Sequence, residues 1–135
     1  MFNNKIDVAK GFQTSVNIAY DLNNTSKISG FIPTTSSLDI IEDVLLSTAP
    51  NSTERARILI GAYGRGRSHI ILVLLSLLFK KVKAAFTALL EKMNASNPKL
   101  YDYTNQFIDS ERKLLPIVVG GSSASLTQSF LFALQ

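Results

Sequence analysis

From Gly11 to Asp21 the chain alternates, with Phe12, Thr14, Val16, Ile18 and Tyr20 interleaved with Gln13, Ser15, Asn17 and Ala19. That period of two predicts a strand with one wetter face. Turn formers fill Asp21 to Ser26, and Ile28 to Ile32 predicts a short extended piece ended by Pro33. Ser36 followed three residues later by Asp39 resembles a capping arrangement. Leu38, Ile41, Val44 and Leu45 then recur on one face, so a helix is expected over roughly 37–47. Ala49 to Thr53, with Pro50 and Asn51, breaks it.

The second half opens with the order apolar strand, glycine loop and helix. Ile58, Leu59 and Ile60 form an unbroken apolar triplet, expected as a strand buried on both faces. After Gly61 to Ser68, Ile70 to Phe79 holds nine apolar residues in ten, within an expected helix from His69 to Lys83. Lys80, Lys81 and Lys83 fall at the negative end of its dipole. A membrane-spanning helix needs about 20 apolar residues, so a buried helix is the reading. Ala84 to Met93 continues or restarts helix, and Asn94 to Pro98 stops it. Tyr103, Phe107 and Ile108 set helical spacing within Tyr101 to Arg112. Leu114 to Val119 is another apolar strand candidate, with Pro116 suited to its start or to an edge. Gly120 to Ser125 turns the chain, and Leu126 to Leu134 reads as a last helix, whose end without capping glycine or polar tail suggests a truncated product.

Composition narrows the chemistry. The 135 residues, 46% hydrophobic and 18% charged, suit a single folded domain over 1–135, with an N-terminal strand and helix region over 1–52 and a core portion over 53–135. Fourteen basic and ten acidic side chains leave +4, a mild excess that favours anionic ligands without a nucleic-acid-binding signature. The absence of cysteine excludes disulfides, thiolate nucleophiles and cysteine-based zinc sites, and a single histidine, His69, excludes a histidine-rich metal centre. Met1 to Phe12 lacks the apolar core of a secretory signal, so a cytoplasmic protein with no membrane association is expected.

One segment carries a chemical motif. Gly61-Ala62-Tyr63-Gly64-Arg65-Gly66-Arg67-Ser68 has the spacing of a phosphate-binding P-loop: glycine, four residues, glycine, a basic residue and serine, with Arg67 where lysine is usual. Gly61, Gly64 and Gly66 free the backbone so that successive amides can point at phosphate oxygens, and a helix starting at once adds its unpaired amides and its dipole. Ser68 stands where a hydroxyl ligates Mg2+. The dinucleotide fingerprint starting at Gly64 fails, because its third glycine would be residue 69, which is His69. Arginine is bulkier than lysine and planar, so it suits phosphate binding better than the movement of charge during transfer. Hydrolysis further requires an acidic strand end, and the strand candidate after the loop, Leu114 to Val119, ends in Gly120.

The stretch from about Phe31 to Lys81, centred on Arg57 to Gly64 and Gly66 to His69, resembles the N-terminal P-loop module of large bacterial ATP-binding proteins of phage-defence and DNA-modification loci, including BREX-type ATPases. Their loops commonly read tyrosine or phenylalanine, glycine, any residue, glycine, lysine, serine, histidine. Tyr63, Gly64, Gly66, Ser68 and His69 match, and Arg67 departs. The resemblance implies the front of a longer ATPase, with ATP and Mg2+ as cofactors and with other defence proteins or DNA as partners.

The expected fold is therefore α/β: an incomplete P-loop core with a mainly parallel sheet flanked by helices. The expected function is binding of a nucleoside triphosphate, ATP above all, by Gly61, Ala62, Tyr63, Gly64, Arg65, Gly66, Arg67, Ser68 and His69, with Ser68 on the metal. The alternative is a non-catalytic interaction or structural fragment with a vestigial loop, whose apolar helices would self-associate or pack on a partner. Arg55, Arg57 and Arg65 would enlarge the field around the loop if they faced it. Gly120-Gly121-Ser122-Ser123 reads as a plain turn rather than a second anion site.

Overall fold

A computed structural model describes residues 16–61, 66–79, 83–119 and 125–134. Among them the chain is all-helical, with seven α-helices, one 3-10 turn and no strand. The expected α/β architecture with a parallel sheet is thus overturned. No helix among the described residues is long and apolar enough to cross a membrane.

The N-terminal strand gives way to two short helices, α1 (Ile18–Asp21) and α2 (Thr25–Ser29). Asparagines cause the switch. The Asn17 side chain accepts from the Ala19 amide, and the Asp21 carboxylate accepts from the Asn17 amide at 2.8 Å, closing one turn on itself. Asn24 does the same for α2 by accepting from Lys27 N. Polar side chains that would end a strand here satisfy the unpaired amides of helix starts. The Lys27 ammonium, 2.6 Å from Asp21 Oδ2, locks the two helices together. Ile28, expected in an extended piece, is buried on α2. Gly11 to Ser15 of the expected strand lie outside the described residues.

The helix expected over 37–47 is present as α3 (Thr35–Ser47), with Leu38, Ile41 and Leu45 buried. Its cap is Thr34, not Ser36. Thr34 Oγ1 accepts from Ser37 N while Ser37 Oγ accepts from Thr34 N, a reciprocal box that leaves Asp39 out. The Arg112 guanidinium donates to the carbonyl of Thr48, the residue closing α3, where the helix dipole favours a cation.

At the centre stands α4 (Arg67–Phe79), apolar around its whole circumference, with Leu72, Val73, Leu74 and Leu77 buried. A helix without a polar face must be enclosed. α1, α2 and α3 pack on it, and a 3-10 turn (Lys83–Phe86) packs on α2 and adds buried Ala85 and Phe86. Then α5 (Thr87–Ser96) and α6 (Pro98–Asp109) pack against each other across Asn97. Asn97 caps α6 by accepting from Leu100 N and reaches Glu42 Oε2 of α3 with its amide, joining the pair to the rest. Leu100, Phe107 and Ile108 form the buried face of α6 at the expected spacing. A last helix, α7 (Leu126–Ala133), buries only Ser129.

Both apolar strand candidates of the second half are corrected. Ile58 and Ile60 are each 87% exposed and join no sheet. In Leu114 to Val119, the Leu114 amide donates to Leu78 O at 3.1 Å, filling one of the carbonyls left open at the end of α4 instead of pairing with a strand. The reason is common to both: an apolar segment becomes a strand only beside another strand, and α4 recruits the remaining apolar elements as helices.

The enclosure of α4 generates a stability prediction. Leu77→Ala, at a site with no exposure, should cost about 2–5 kcal/mol in urea denaturation. Tyr20→Ala, at 84% exposure, should stay within about 0.5 kcal/mol. Far-UV circular dichroism should show the double minimum of an α-helical chain, and a sheet-dominated spectrum would contradict this fold.

Candidate functional site

The end of the motif sits where a helix begins. Gly66 has φ +72°, the left-handed conformation open to glycine, and nothing lies within 4 Å of where its Cβ would be. Its carbonyl accepts from both His69 N and Ile70 N at 3.0 Å, the first bonds of α4. The amides of Arg67 and Ser68 stand ahead of those bonds, at the positive end of a helix of 13 residues. α4 thus starts two residues earlier than expected, which brings Arg67 and Ser68 into its first turn.

The side chains divide. Ser68 is exposed. Arg67 is half-buried and lies along Gly61, its Cδ 3.2 Å and its Nε 3.5 Å from the position a Cβ would take there. The His69 ring turns inward: Nε2–H donates to the Lys27 carbonyl at 2.6 Å, and the ring meets Phe31 edge to face at 5.2 Å. His69 therefore ties α4 to α2 and to the segment after it. Ala62, Tyr63, Gly64 and Arg65 lie outside the described residues.

Beside this helix start is a cleft of about 200 Å³. One wall is Gly66, His69 and Ile70; the other runs from Gly30 through Phe31 to Thr34 and Ser37. Thr34 and Ser37 form the capping box of α3, so the N-termini of two 13-residue helices open on the same space. Both dipoles present their positive ends there, each worth about 0.3–1 kcal/mol to a nearby anion. Sequence reasoning found the α4 end from glycine spacing. It missed the α3 end, whose signal was the threonine and serine of the capping box and whose approach to Gly66 is a matter of tertiary packing.

Of the described motif residues, Gly66 and His69 line the cleft, whereas Arg67 and Ser68, like Arg55 and Arg57, do not. The Arg55 guanidinium donates to the carbonyls of Ser52 and Pro50, both at 3.0 Å. Arg57 pairs through two nitrogens with both oxygens of Asp43 on α3, which fixes the segment before Gly61 against that helix. The hydrogen bond from Arg57 holds the Asp43 carboxyl below the usual aspartate value, and Asp43 in turn raises the guanidinium. Asp21 is lowered likewise, first by its hydrogen bond from Lys27 and then by the Asn17 amide.

No protein family, curated protein sequence or solved structure matches this chain.

The two aspartates generate a pH prediction. Each has a folded pKa below its ordinary value of 3.8, so on acidification the unfolded chain takes up these protons first. Their stabilisation is present above about pH 4 and lost as pH falls through the folded values. The urea midpoint should drop on acidification below that point. An Asp21→Asn, Asp43→Asn double variant should lose part of the drop.

Proposed function

We propose that this chain binds a nucleoside triphosphate, ATP foremost, with its phosphates held by the segment from Gly61 to Ser68 at the start of α4. The observation that carries the reading is the meeting of the α3 and α4 N-termini on one cleft beside Gly66, directly after a glycine-rich segment with P-loop spacing. Phosphate needs donors and positive potential: the dipoles of two helix starts supply the potential, and the Arg67 and Ser68 amides adjoin Gly66 of the cleft wall, while the Thr34 and Ser37 amides are taken up by the capping box. Small-molecule pockets commonly measure about 300–1,000 Å³. The cleft's 200 Å³ suits phosphate groups, with sugar and base projecting beyond it.

The groups present suit the expected ligands at the level of donor chemistry. The Arg67 and Ser68 amides precede the first helical bond, the Ser68 hydroxyl is exposed beside them, and the Arg67 guanidinium is permanently charged. Mg2+, when bound with the nucleotide, would neutralise phosphate charge, and the Ser68 hydroxyl is the oxygen this chain offers it. His69 contributes position through Lys27 and Phe31, keeping the first turn of α4 against α2. The reading is one of binding; no carboxylate lines the cleft among the described residues, so the proposal assigns no hydrolytic base.

A second reading, an interaction module with a vestigial loop, is favoured by a different observation. Ile58, Ile60, Leu115, Leu126 and Phe132 are all more than 60% exposed, apolar area that a partner or a second copy would cover.

Two measurements test these readings. Titration calorimetry should give saturable Mg2+-dependent binding of ATP, weakened about tenfold, or about 1.4 kcal/mol, by Ser68→Ala and strengthened by Arg67→Lys. Gly66→Asn, which tolerates a positive φ, should fold normally, so it separates loss of binding from loss of the turn. A folded chain giving no saturable heat with any ribonucleotide would overturn the first reading. For the second, sedimentation across a concentration series should show self-association, and a monomer throughout would count against it.

A further inference from the structure

A different cavity lies toward the opposite end of α4. It measures about 240 Å³, and its described walls include Leu22, Ile28 of α2, Ala85 and Phe86 of the 3-10 turn, and Ser76 of α4. The exposed Asn23 and Thr25 also line it. Ser76 follows Arg67 by nine positions, about 14 Å along the helix axis, so this cavity is separate from the phosphate cleft.

Ser76 is the feature that needs a reason. It is completely buried, in the middle of a helix that is otherwise apolar, and its Oγ has no hydrogen-bond partner. A serine at such a place ordinarily satisfies itself by donating to the carbonyl four residues earlier, and that bond is not made. An unpaired hydroxyl at the wall of a cavity has surrendered its hydration without replacing it. The group that repairs this must come from inside the cavity.

The walls define what that group belongs to. None of the described lining side chains is charged, so an ion would enter without compensation. The apolar lining from Leu22, Ile28, Ala85 and Phe86 is a poor host for a cluster of waters, each of which needs about two to four polar partners. An apolar cavity of about 150 Å³ admits benzene, so this one, at 240 Å³, has room for a single substituted ring or a short branched chain. We infer that it is a binding site for a small uncharged molecule with a compact apolar body and one hydroxyl or carbonyl oxygen, the oxygen pairing with Ser76 Oγ. A serine hydroxyl both donates and accepts, so either kind of oxygen fits.

Phenol and toluene, similar in shape and differing in the oxygen, make the test. In the full chain with labelled methyl groups, phenol should shift the Ile28 and Ala85 resonances saturably, and toluene should bind about three- to tenfold more weakly, the worth of one hydrogen bond. Ser76→Ala should erase the advantage of phenol, leave toluene unchanged and raise the melting temperature of the free protein, because the unsatisfied hydroxyl is gone. Equal affinities in the unaltered chain would overturn the inference, as would a phenol advantage that survives Ser76→Ala. Methyl resonances unmoved by millimolar phenol would do the same, showing a cavity that holds water or nothing. Should Ser76→Ala fail to fold, the phenol and toluene comparison in the unaltered chain still decides. The outcome is independent of nucleotide binding, which calorimetry reads at the other end of α4.

Discussion

The structure depends on one constraint: α4 has no polar face, so water must be kept from every side of it. Leu72, Val73, Leu74, Ser76 and Leu77 are buried over about half of the circumference, with Val73 and Leu77 on one face, and Ile71, Leu75, Leu78 and Phe79 on the remaining side are half-buried. Each neighbouring element can be understood as a cover for one sector. α1 and α2, too short to persist alone, are tied to each other by the Asp21–Lys27 pair, and α2 is tied to α4 by His69 on the Lys27 carbonyl. α3 brings the apolar stripe of Leu38, Ile41 and Leu45. The segment after Arg112 closes the far end, where Leu114 N–H meets Leu78 O.

Covering α4 also decides where chemistry is available. Much of its side is covered, and its N-terminal end, where Gly66 and Ser68 are exposed, opens to solvent. At the N-terminal end the cover is α3, whose own N-terminus, capped by Thr34, opens on the same cleft as Gly66. Two positive dipole ends are thus brought together as a by-product of packing. Like dipole ends repel, and under the proposed reading an anion would relieve that repulsion where Arg55 and Arg57, committed elsewhere, do not.

What could be read in advance follows the range of the interaction responsible. α3 and α6 were legible because Leu38, Ile41 and Leu45, and Phe107 and Ile108, repeat with the period of a helix within a few residues of one another. The apolar run makes α4 legible as a buried helix, but the sequence alone starts it at His69, because nothing local distinguishes a left-handed Gly66 at a helix start from the interior of a loop. The triplet Ile58 to Ile60 and the run Leu114 to Val119 were misread because a short apolar stretch has no period, and the strand that would have to lie beside it is a non-local matter. Asn17 and Asn24 misled in the opposite sense: side chains read as a strand's wet face and its turn act as helix caps. For the site, glycine spacing placed Gly66, Arg67 and Ser68 at a helix start; the contribution of Thr34 and Ser37 depended on how α3 packs and left no trace in spacing.

The two motif glycines with described surroundings act by different physics, and this bears on why arginine stands at position 67. Gly66 is required by the sign of φ alone, since a side chain there would meet no neighbour within 4 Å. Gly61 has no such backbone constraint; what it provides is room, because the Arg67 stem crosses its α-carbon with Cδ 3.2 Å from a notional Cβ. A methyl at 61 would displace the stem by a few tenths of an ångström, which a flexible side chain accommodates by swinging its guanidinium. Positions 61 and 67 are therefore coupled: the first sets how closely the charge at the second lies against the chain. Lysine has the same methylene at Cδ and would fill the same room there; it differs in lacking the planar head beyond. What arginine changes relative to lysine is therefore the head group beyond the stem, and the proposed phosphate site would rest first on the backbone amides and dipole at the start of α4, which neither side chain supplies.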